Sequence, residues 1–510
     1  MVCTFEKAPP VAYFREVFAY YGDGHLSARW YAPDSGLGVE DNAEISFDEL
    51  ERLYAAEDRN GKSYLSNKGG HTATRQAAFD LTFTPAKSFA LLYAMANDED
   101  RAELIEALFL AVRTSLETVT TVAGWARRGK AGRRLERVLL TAAMFFHDDA
   151  RPEQHSDGTI FGDPDPHIHA LVLNLAKRSD GSFGAVQSVL IRMTKMLAGA
   201  IFHASLAAEL VKLKFSVDRN GKNGIFEVAG IGQRAIEFFS ARSNKKKQIL
   251  AEAGTTSTLN PKLAARVIAA SRRKKVRINF GERLKIWQDA AARNGIDYAG
   301  ELSSARKSFR PLDPAQSEEE YQSRLELVCN ELTETEAVLH FHEVLRRFHE
   351  ALVGTGLPPA RARKALADMI KARKVLVVGK DAMGSPMFST PNMVATELAV
   401  IELAQAMAER GNFGIDPETV RKSCSRFGLT DEQRTAAMSA TRSGGIAVVE
   451  GAPGVGNPAD LGLLTSSFCS ARSAALVVSD HLSTRLRCVT GIEWDSAECQ
   501  TSKTAHPLGE

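Results

Sequence analysis

The 510-residue chain contains no run approaching the ~20 consecutive apolar residues of a membrane-spanning helix. Its first residues, with Glu6, Lys7 and Pro9-Pro10, lack the apolar core of a secretory signal. Neither a membrane partner nor export is expected, and a cytoplasmic location is. Cysteine is scarce: six residues without paired spacing exclude a disulfide framework and fit a reducing compartment. An excess of one charge is also missing, since 64 Lys and Arg face 62 Asp and Glu for a formal net charge of +2. Binding to a polyanion must therefore come from local basic clusters and not from a global field. Three such clusters stand out: Arg127-Arg128-Gly129-Lys130 with Arg133-Arg134, Lys245-Lys246-Lys247, and Arg272-Arg273-Lys274-Lys275 with Arg277. Each could equally be a solvated helix face. With 44% hydrophobic and 25% charged residues, the chain can build cores for about three domains.

The most informative motif is His167-Ile168-His169, within Asp163-Pro164-Asp165-Pro166-His167-Ile168-His169-Ala170-Leu171-Val172-Leu173-Asn174. In a strand, alternate side chains share a face, so His167 and His169 point the same way with Leu171 and Leu173, while Ile168, Ala170 and Val172 line the other. A bare His-x-His is often just two polar residues at a strand start. Here the apolar stretch Val138 to Phe146 ends in His147, a neighbouring strand with a third imidazole, and the polar stretch Asp148 to Gly158 reads as the hairpin loop between them. His155, within that loop, is expected to be solvated. Three neutral imidazoles leave a divalent ion with open positions, so it can polarise a substrate oxygen as a Lewis acid. Magnesium, manganese, zinc and nickel are not distinguished, although imidazole suits the last three better.

A second constellation, Phe18-Ala19-Tyr20-Tyr21-Gly22-Asp23-Gly24-His25, precedes Trp30-Tyr31-Ala32-Pro33. Adjacent tyrosines can be packing groups. Beside a metal site they acquire another use, because a phenolate, with a free pKa near ~10, can attack a phosphodiester when a base or metal assists it. Taken in order, Tyr20-Tyr21-x-Asp23-Gly24, Trp30-Tyr31, Thr74-Arg75-Gln76, Phe79 to Phe83, Pro85-Ala86-Lys87-Ser88, His147, Asp163-Pro164, His167, His169, Leu173-Asn174 and Lys177-Arg178-Ser179-Asp180-Gly181 resemble the motifs of conjugative relaxases of the TrwC/TraI (MobF) type, in the HUH-endonuclease superfamily. The likeness spans roughly the first ~300 residues, through Trp287.

This resemblance implies a conjugative relaxase that nicks single-stranded or supercoiled plasmid DNA at a transfer origin, forms a 5′-phosphotyrosine intermediate and later religates it. Tyr20 takes the role of nucleophile, Tyr21 that of neighbour or substitute, and Tyr31 that of a second transesterification. Trp30 departs from the family's second tyrosine pair. Asp80 corresponds to the carboxylate that orients the nucleophile and a histidine; an ordinary exposed strand residue is its alternative. Arg75, Lys87, Lys177, Arg178, Arg272 and Lys274 are the expected DNA contacts. Relaxosome accessory and coupling proteins are expected partners. Two other readings stay open: a non-catalytic DNA-binding remnant, and a metal-dependent phosphodiesterase that uses water.

Apolar spacing predicts helices over Asp98–Ala123, with Asp98 as N-cap, and over Val189–Leu213, whose Met193 and Met196 are assigned to the core. Strands are expected around Phe79–Phe83, Leu139–Phe146, His167–Leu173 and Gly224–Val228, an α+β pattern in which helices cover an HUH-endonuclease-like antiparallel sheet. The expected organisation is a relaxase domain over 1–305, a linker over 306–334, a helicase-associated winged-helix-like module over 335–425, and a truncated, degenerate start of a RecA-like motor over 426–510. In that last segment a strand enters Gly451-Ala452-Pro453-Gly454-Val455-Gly456-Asn457-Pro458. Its glycine pattern, Gly451, Gly454 and Gly456, resembles a helicase P-loop, but Asn457 and Pro458 stand where Lys and Ser or Thr would hold phosphate and magnesium. ATP binding and hydrolysis are therefore not expected.

Overall fold

Alternation of residue type along five strands builds the centre of the molecule. The computed structural model describes residues 3–20, 27–33, 36–65, 75–129, 134–221, 223–256, 259–260, 263, 266, 278–410, 414–426, 428–442, 446–451 and 475–480, with 16–20, 446–451 and 475–480 as backbone only. Contacts divide the chain into two compact units, Met1–Thr390 and Pro391–Glu510.

The first unit begins with β1 (Cys3–Lys7), α1 (Val11–Tyr20), β2 (Ala28–Tyr31), α2 (Phe47–Tyr54), β3 (Ala78–Phe83), α3 (Lys87–Met95) and α4 (Asp98–Ala123). A hairpin, β4 (Trp125–Arg128) and β5 (Arg134–Arg137), leads to β6 (Ala142–Asp149), the short pair β7 (Glu153–Gln154) and β8 (Ile160–Phe161), and β9 (Pro164–Leu173). Next come β10 (Ala176–Lys177), β11 (Phe183–Gly184), α5 (Ser188–Met193), α6 (Lys195–Lys212), β12 (Val217–Asn220), β13 (Ile225–Val228), α7 (Gln233–Phe238), α8 (Ala241–Glu252), α9 (Phe280–Arg293) and α10 (Tyr298–Lys307). The unit closes with α11 (Pro314–Glu331), β14 (Leu339–His340), α12 (Phe341–Leu352), α13 (Arg361–Lys371), β15 (Leu376–Lys380) and β16 (Pro386–Ser389).

The main sheet has the order β1-β3-β9-β6-β2, and every neighbouring pair is antiparallel. Both faces of its middle are covered, so the central strands carry near-continuous apolar runs. Ile168, Ala170, Val172, Met144, Phe146, Leu81 and Phe83 pack in one core with residues of α3, α4 and α6. Leu171, Leu173, Ala143, Phe145 and Trp30 pack in a second core with Phe14 of α1 and Leu50, Leu53 and Tyr54 of α2. We call these the helix face and the histidine face. Together they form the α+β architecture expected from the sequence.

Local chemistry fixes the helices. Ser46 and Glu49 form a capping box at α2. The N-cap of α4 is Asn97, one residue before the expected Asp98; its side chain accepts from the Asp100 N–H, and Asp98, Glu99 and Asp100 complement the helix dipole. The expected Val189–Leu213 helix is divided at Thr194 into α5 and α6. Leu197, Ile201 and Ala204 occupy its inward arc, which turns Met193 and Met196 outward, so these methionines are exposed and not core.

The expected linker over 306–334 is instead largely α11. Asp313 caps it and Pro314 sits in its first turn, where a missing N–H costs nothing, so the proline and acidic run marks a helix start. Tyr321, Leu325 and Cys329 of α11, together with Val344, Leu345 and Phe348 of α12, belong to the same core as α6. The first unit thus runs without a break through 306 to Thr390. From α11 to β16 the order is helix-strand-helix-helix-strand-strand, and the three strands form a sheet of order β14-β16-β15.

The second unit contains α14 (Pro391–Glu409), α15 (Pro417–Arg426), α16 (Asp431–Ala440), β17 (Ile446–Gly451) and β18 (Ala475–Asp480), the two strands parallel. Gly451 ends β17; Gly454, Gly456 and Asn457 lie outside the described residues. Among the described residues, no helix is long and apolar enough to cross a membrane.

Candidate metal centre and active site

Antiparallel pairing of β6 with β9 sets His147 opposite His167, and alternation places His169 on the same face one step along. The ring centroids are 5.3 Å (His147 to His167), 4.9 Å (His147 to His169) and 5.0 Å (His167 to His169) apart. One ring nitrogen from each lies within 4.8 Å of the other two.

Asp80 comes from β3, the neighbour of β9 on its other side, and its register partner is Leu171, on the histidine face. Its carboxylate Oδ2 accepts from His169 Nδ1 at 2.8 Å; Thr82 Oγ1 lies 3.2 Å from that nitrogen and 3.3 Å from Asp80 Oδ1. His167 Nδ1 meets the main-chain carbonyl of Asp165. A carboxylate and a carbonyl accept only, so both Nδ1 atoms carry the proton and Nε2 is the unprotonated nitrogen of each ring. Neutral imidazoles held in this tautomer fit a divalent ion with vacant coordination positions.

The strand is anchored from behind. Register slips between His147 and Asp149, and the intervening Asp148 points to the helix face. There Arg283 of α9 donates to both its oxygens, at 2.9 and 2.8 Å, and the Tyr93 hydroxyl of α3 donates at 3.4 Å. Asp148, Arg283, Thr82 and the Asp165 carbonyl were not identified from the sequence. Their roles depend on register and on a bulge that no local spacing signals.

Tyr20 closes α1 and belongs to its backbone-only portion, while Tyr21 lies outside the described residues. Phe14 of the same helix stacks on Phe145, two residues before His147, with centroids 5.3 Å apart. Tyr31 is placed differently from its expected role. Its register partner is Ala142, it packs in the helix-face core, and it is 1% exposed. Its hydroxyl donates to Thr120 Oγ1 at 3.2 Å, and burial pushes its pKa up to about 12. The position beside it on the histidine face belongs to Trp30, whose indole N–H donates to Glu49. Tyr31 thus lies on the face of the sheet opposite the histidines, with its hydroxyl held by Thr120.

The expected DNA contacts divide as well. Arg75 donates to the Asn174 carbonyl at 3.0 Å and the Tyr54 carbonyl at 2.8 Å, a clamp between main-chain segments and not a free cation. Lys87 donates to the Pro164 carbonyl at 2.8 Å. Arg178 binds Ser182 Oγ and the carbonyls of Phe183 and Arg127, bracing the β4–β5 hairpin. Lys177 is exposed and lines, with Arg137, Arg178 and Ser179, an open cleft of about 680 Å³. Arg272 and Lys274 lie outside the described residues. His155, expected in solvent, is buried: Nε2 meets Asp163 Oδ1 at 2.7 Å and the ring stacks on Phe161 at 3.7 Å. The loop between β6 and β9 is structured by β7 and β8, which fold the imidazole inward.

Fold and site define an α+β protein with a cluster of three histidines suited to a metal ion on an antiparallel sheet, one histidine oriented by a carboxylate. The TrwC relaxase family model matches residues 8–294, over half of the chain. The chain belongs to the TrwC relaxase family. Solved structures similar to it include the conjugative relaxase TrwC in complex with oriT DNA, metal-bound (27% identity, TM-score 0.48) and metal-free (29%, 0.47), and TrwC with a 27-mer DNA comprising the recognition hairpin and the cleavage site (28%, 0.47). Each alignment covers 58% of this chain and 99% of the other. No curated protein matched by sequence.

Proposed function

We propose that this protein is a DNA-nicking relaxase that cleaves one strand at a plasmid transfer origin by tyrosine transesterification. The observation that carries the reading is the His147, His167 and His169 set with Asp80 behind His169, in a chain of the TrwC relaxase family. His147, His167 and His169 would hold the ion, which when bound supplies Lewis-acid polarisation of the scissile phosphate. Tyr20, at the end of a helix that packs on the histidine face, attacks phosphorus. The new bond joins its phenolic oxygen to the 5′-phosphate, the bond to the 3′ oxygen breaks, and a free 3′-hydroxyl leaves. Asp80 keeps the proton of His169 on Nδ1 and so fixes the ring's direction. Religation is the reverse attack by a 3′-hydroxyl on the phosphotyrosine. Tyr21 is a neighbour that can substitute; Tyr31, buried on the opposite face, is given no step in this reading.

Incubation of the protein with supercoiled plasmid or single-stranded oligonucleotides carrying its transfer origin, with divalent metal, tests this. An SDS-resistant DNA adduct in wild type that is lost in Tyr20→Phe is expected. Cleavage without an adduct would instead mean attack by water, and no cleavage on a verified origin with metal bound would leave only DNA binding.

We infer separately that the segment from Leu429 onward does not hydrolyse ATP, because Asn457 and Pro458 replace the residues that hold phosphate and magnesium. DNA-stimulated ATPase activity of the purified chain would overturn this.

A further inference from the structure

We propose that α13 is a duplex-DNA grip, built into the same compact unit as the metal site but separate from it. Two features carry the assignment. First, α13 holds the position of the third helix in a winged-helix topology, directly before the β15–β16 hairpin. Such a helix in a helix-turn-helix arrangement is the one that enters a major groove. Second, its outward arc is basic. Ala362, Ala365, Leu366 and Met369 are buried, while Arg363, Lys364, Ala367 and Lys371 are exposed. At 100° per residue those four span one 100° stripe, with the small Ala367 inside it. None of the three cations forms an ion pair among the described residues. The exposed acid on the helix, Asp368, lies at the edge of the arc against Arg361, 3.5 Å away, and Arg361 also binds Glu318.

A helix ~10–12 Å across matches a major groove ~12 Å wide, whereas a single strand offers no groove for it. Charge complementarity selects the phosphate backbone as the ligand, and three cations define a modest, sequence-independent contact. The grip is fixed relative to the nicking face, because α12 packs on α6 and on α13 within one core. A strand cut at the histidines and a flanking duplex held at α13 would therefore keep a constant spacing.

The test uses the full chain and a 20-base-pair duplex of sequence unrelated to any transfer origin, with binding measured across a salt series. The triple variant Arg363→Ala, Lys364→Ala, Lys371→Ala should bind on the order of tenfold more weakly, with a log-log salt slope smaller by about 3. Arg363→Lys, Lys364→Arg, Lys371→Arg should retain both, and Lys371→Glu alone, at an exposed site, should weaken binding without lowering the melting temperature. Tyrosine adduct formation on a short single-stranded oligonucleotide should be unchanged in all of them, which separates this proposal from the nicking chemistry. An unchanged salt slope in the triple variant would overturn the grip. An equal loss on the single strand of the same sequence would overturn its assignment to duplex.

Discussion

The two faces of the β6–β9 pair share one backbone and divide its tasks. On the histidine face, the His167 and His169 side chains remain 11% and 26% exposed, each with its Nδ1 restrained by a hydrogen bond. On the helix face, Ile168, Ala170 and Val172 are wholly buried, and the charge nearest the site, Asp148, is neutralised by Arg283. The histidine cluster sits where the strand is accessible, and the apolar packing where it is closed. Side chains only one residue apart, such as Trp30 and Tyr31, or His147 and Asp148, consequently do unrelated things.

If that division holds, changes on the histidine face should alter activity with little change in folding, and changes on the helix face the reverse. The largest effect is expected from His167→Ala with His169→Ala. Metal binding, read by calorimetry, should disappear, and strand cleavage should fall by about 10³-fold or more, with the melting temperature of the metal-free protein preserved. Asp80→Asn should reduce metal affinity or cleavage by roughly 10–100-fold, because an amide no longer fixes the His169 tautomer. Arg283→Ala should act the other way. It removes the guanidinium that neutralises the buried Asp148, at about 3–5 kcal/mol of stability in denaturant unfolding, while residual folded protein still binds metal. Tyr31→Phe removes one buried hydrogen bond, worth about 1 kcal/mol; its DNA adduct yield should match wild type, in contrast with Tyr20→Phe.

A further effect is one of pH. Burial holds His203 of α6 and His349 of α12 down at about 4, against an ordinary value near 6.5. The unfolded chain therefore binds these protons first as acid is added, so their contribution to stability is complete above pH 6.5 and declines as pH falls toward 4. A pH-unfolding series should show this slope, and replacing either histidine with glutamine should flatten it. A slope identical in wild type and both variants would show that these histidines do not set it.

Much of this division was legible in the residues. The alternation His167, His169, Leu171, Leu173 against Ile168, Ala170, Val172 gave both faces of β9, and the apolar run ending in His147 gave its partner. Failures arose where position depended on pairing across the sheet. Tyr31 could be assigned to a face only through its register with Ala142, and the main-chain partners of Arg75, the Asn174 and Tyr54 carbonyls, are brought beside it only by the fold. His155 looked like a loop residue because nothing in its neighbourhood announces Phe161 as a stacking partner. The proline and acidic run that opens α11 has the composition of a linker, and only the buried Tyr321, Leu325 and Cys329 reveal a packed helix.

The sheet order assigns β9 a place in assembly as well as in chemistry. β1 with β3, and β2 with β6, are separate antiparallel pairs until β9 enters between β3 and β6. Both junctions must close loops, the one to β3 being long in sequence, with Ala78 paired to the distant Leu173. Ordering so distant a contact is slow. β9 acts as the keystone of the fold, and the three imidazoles can meet only once it is in place. Destabilising substitutions at Ala170 or Val172 should accordingly slow refolding more than they speed unfolding; kinetics in which only the unfolding arm moves would place β9 insertion after the rate-limiting step.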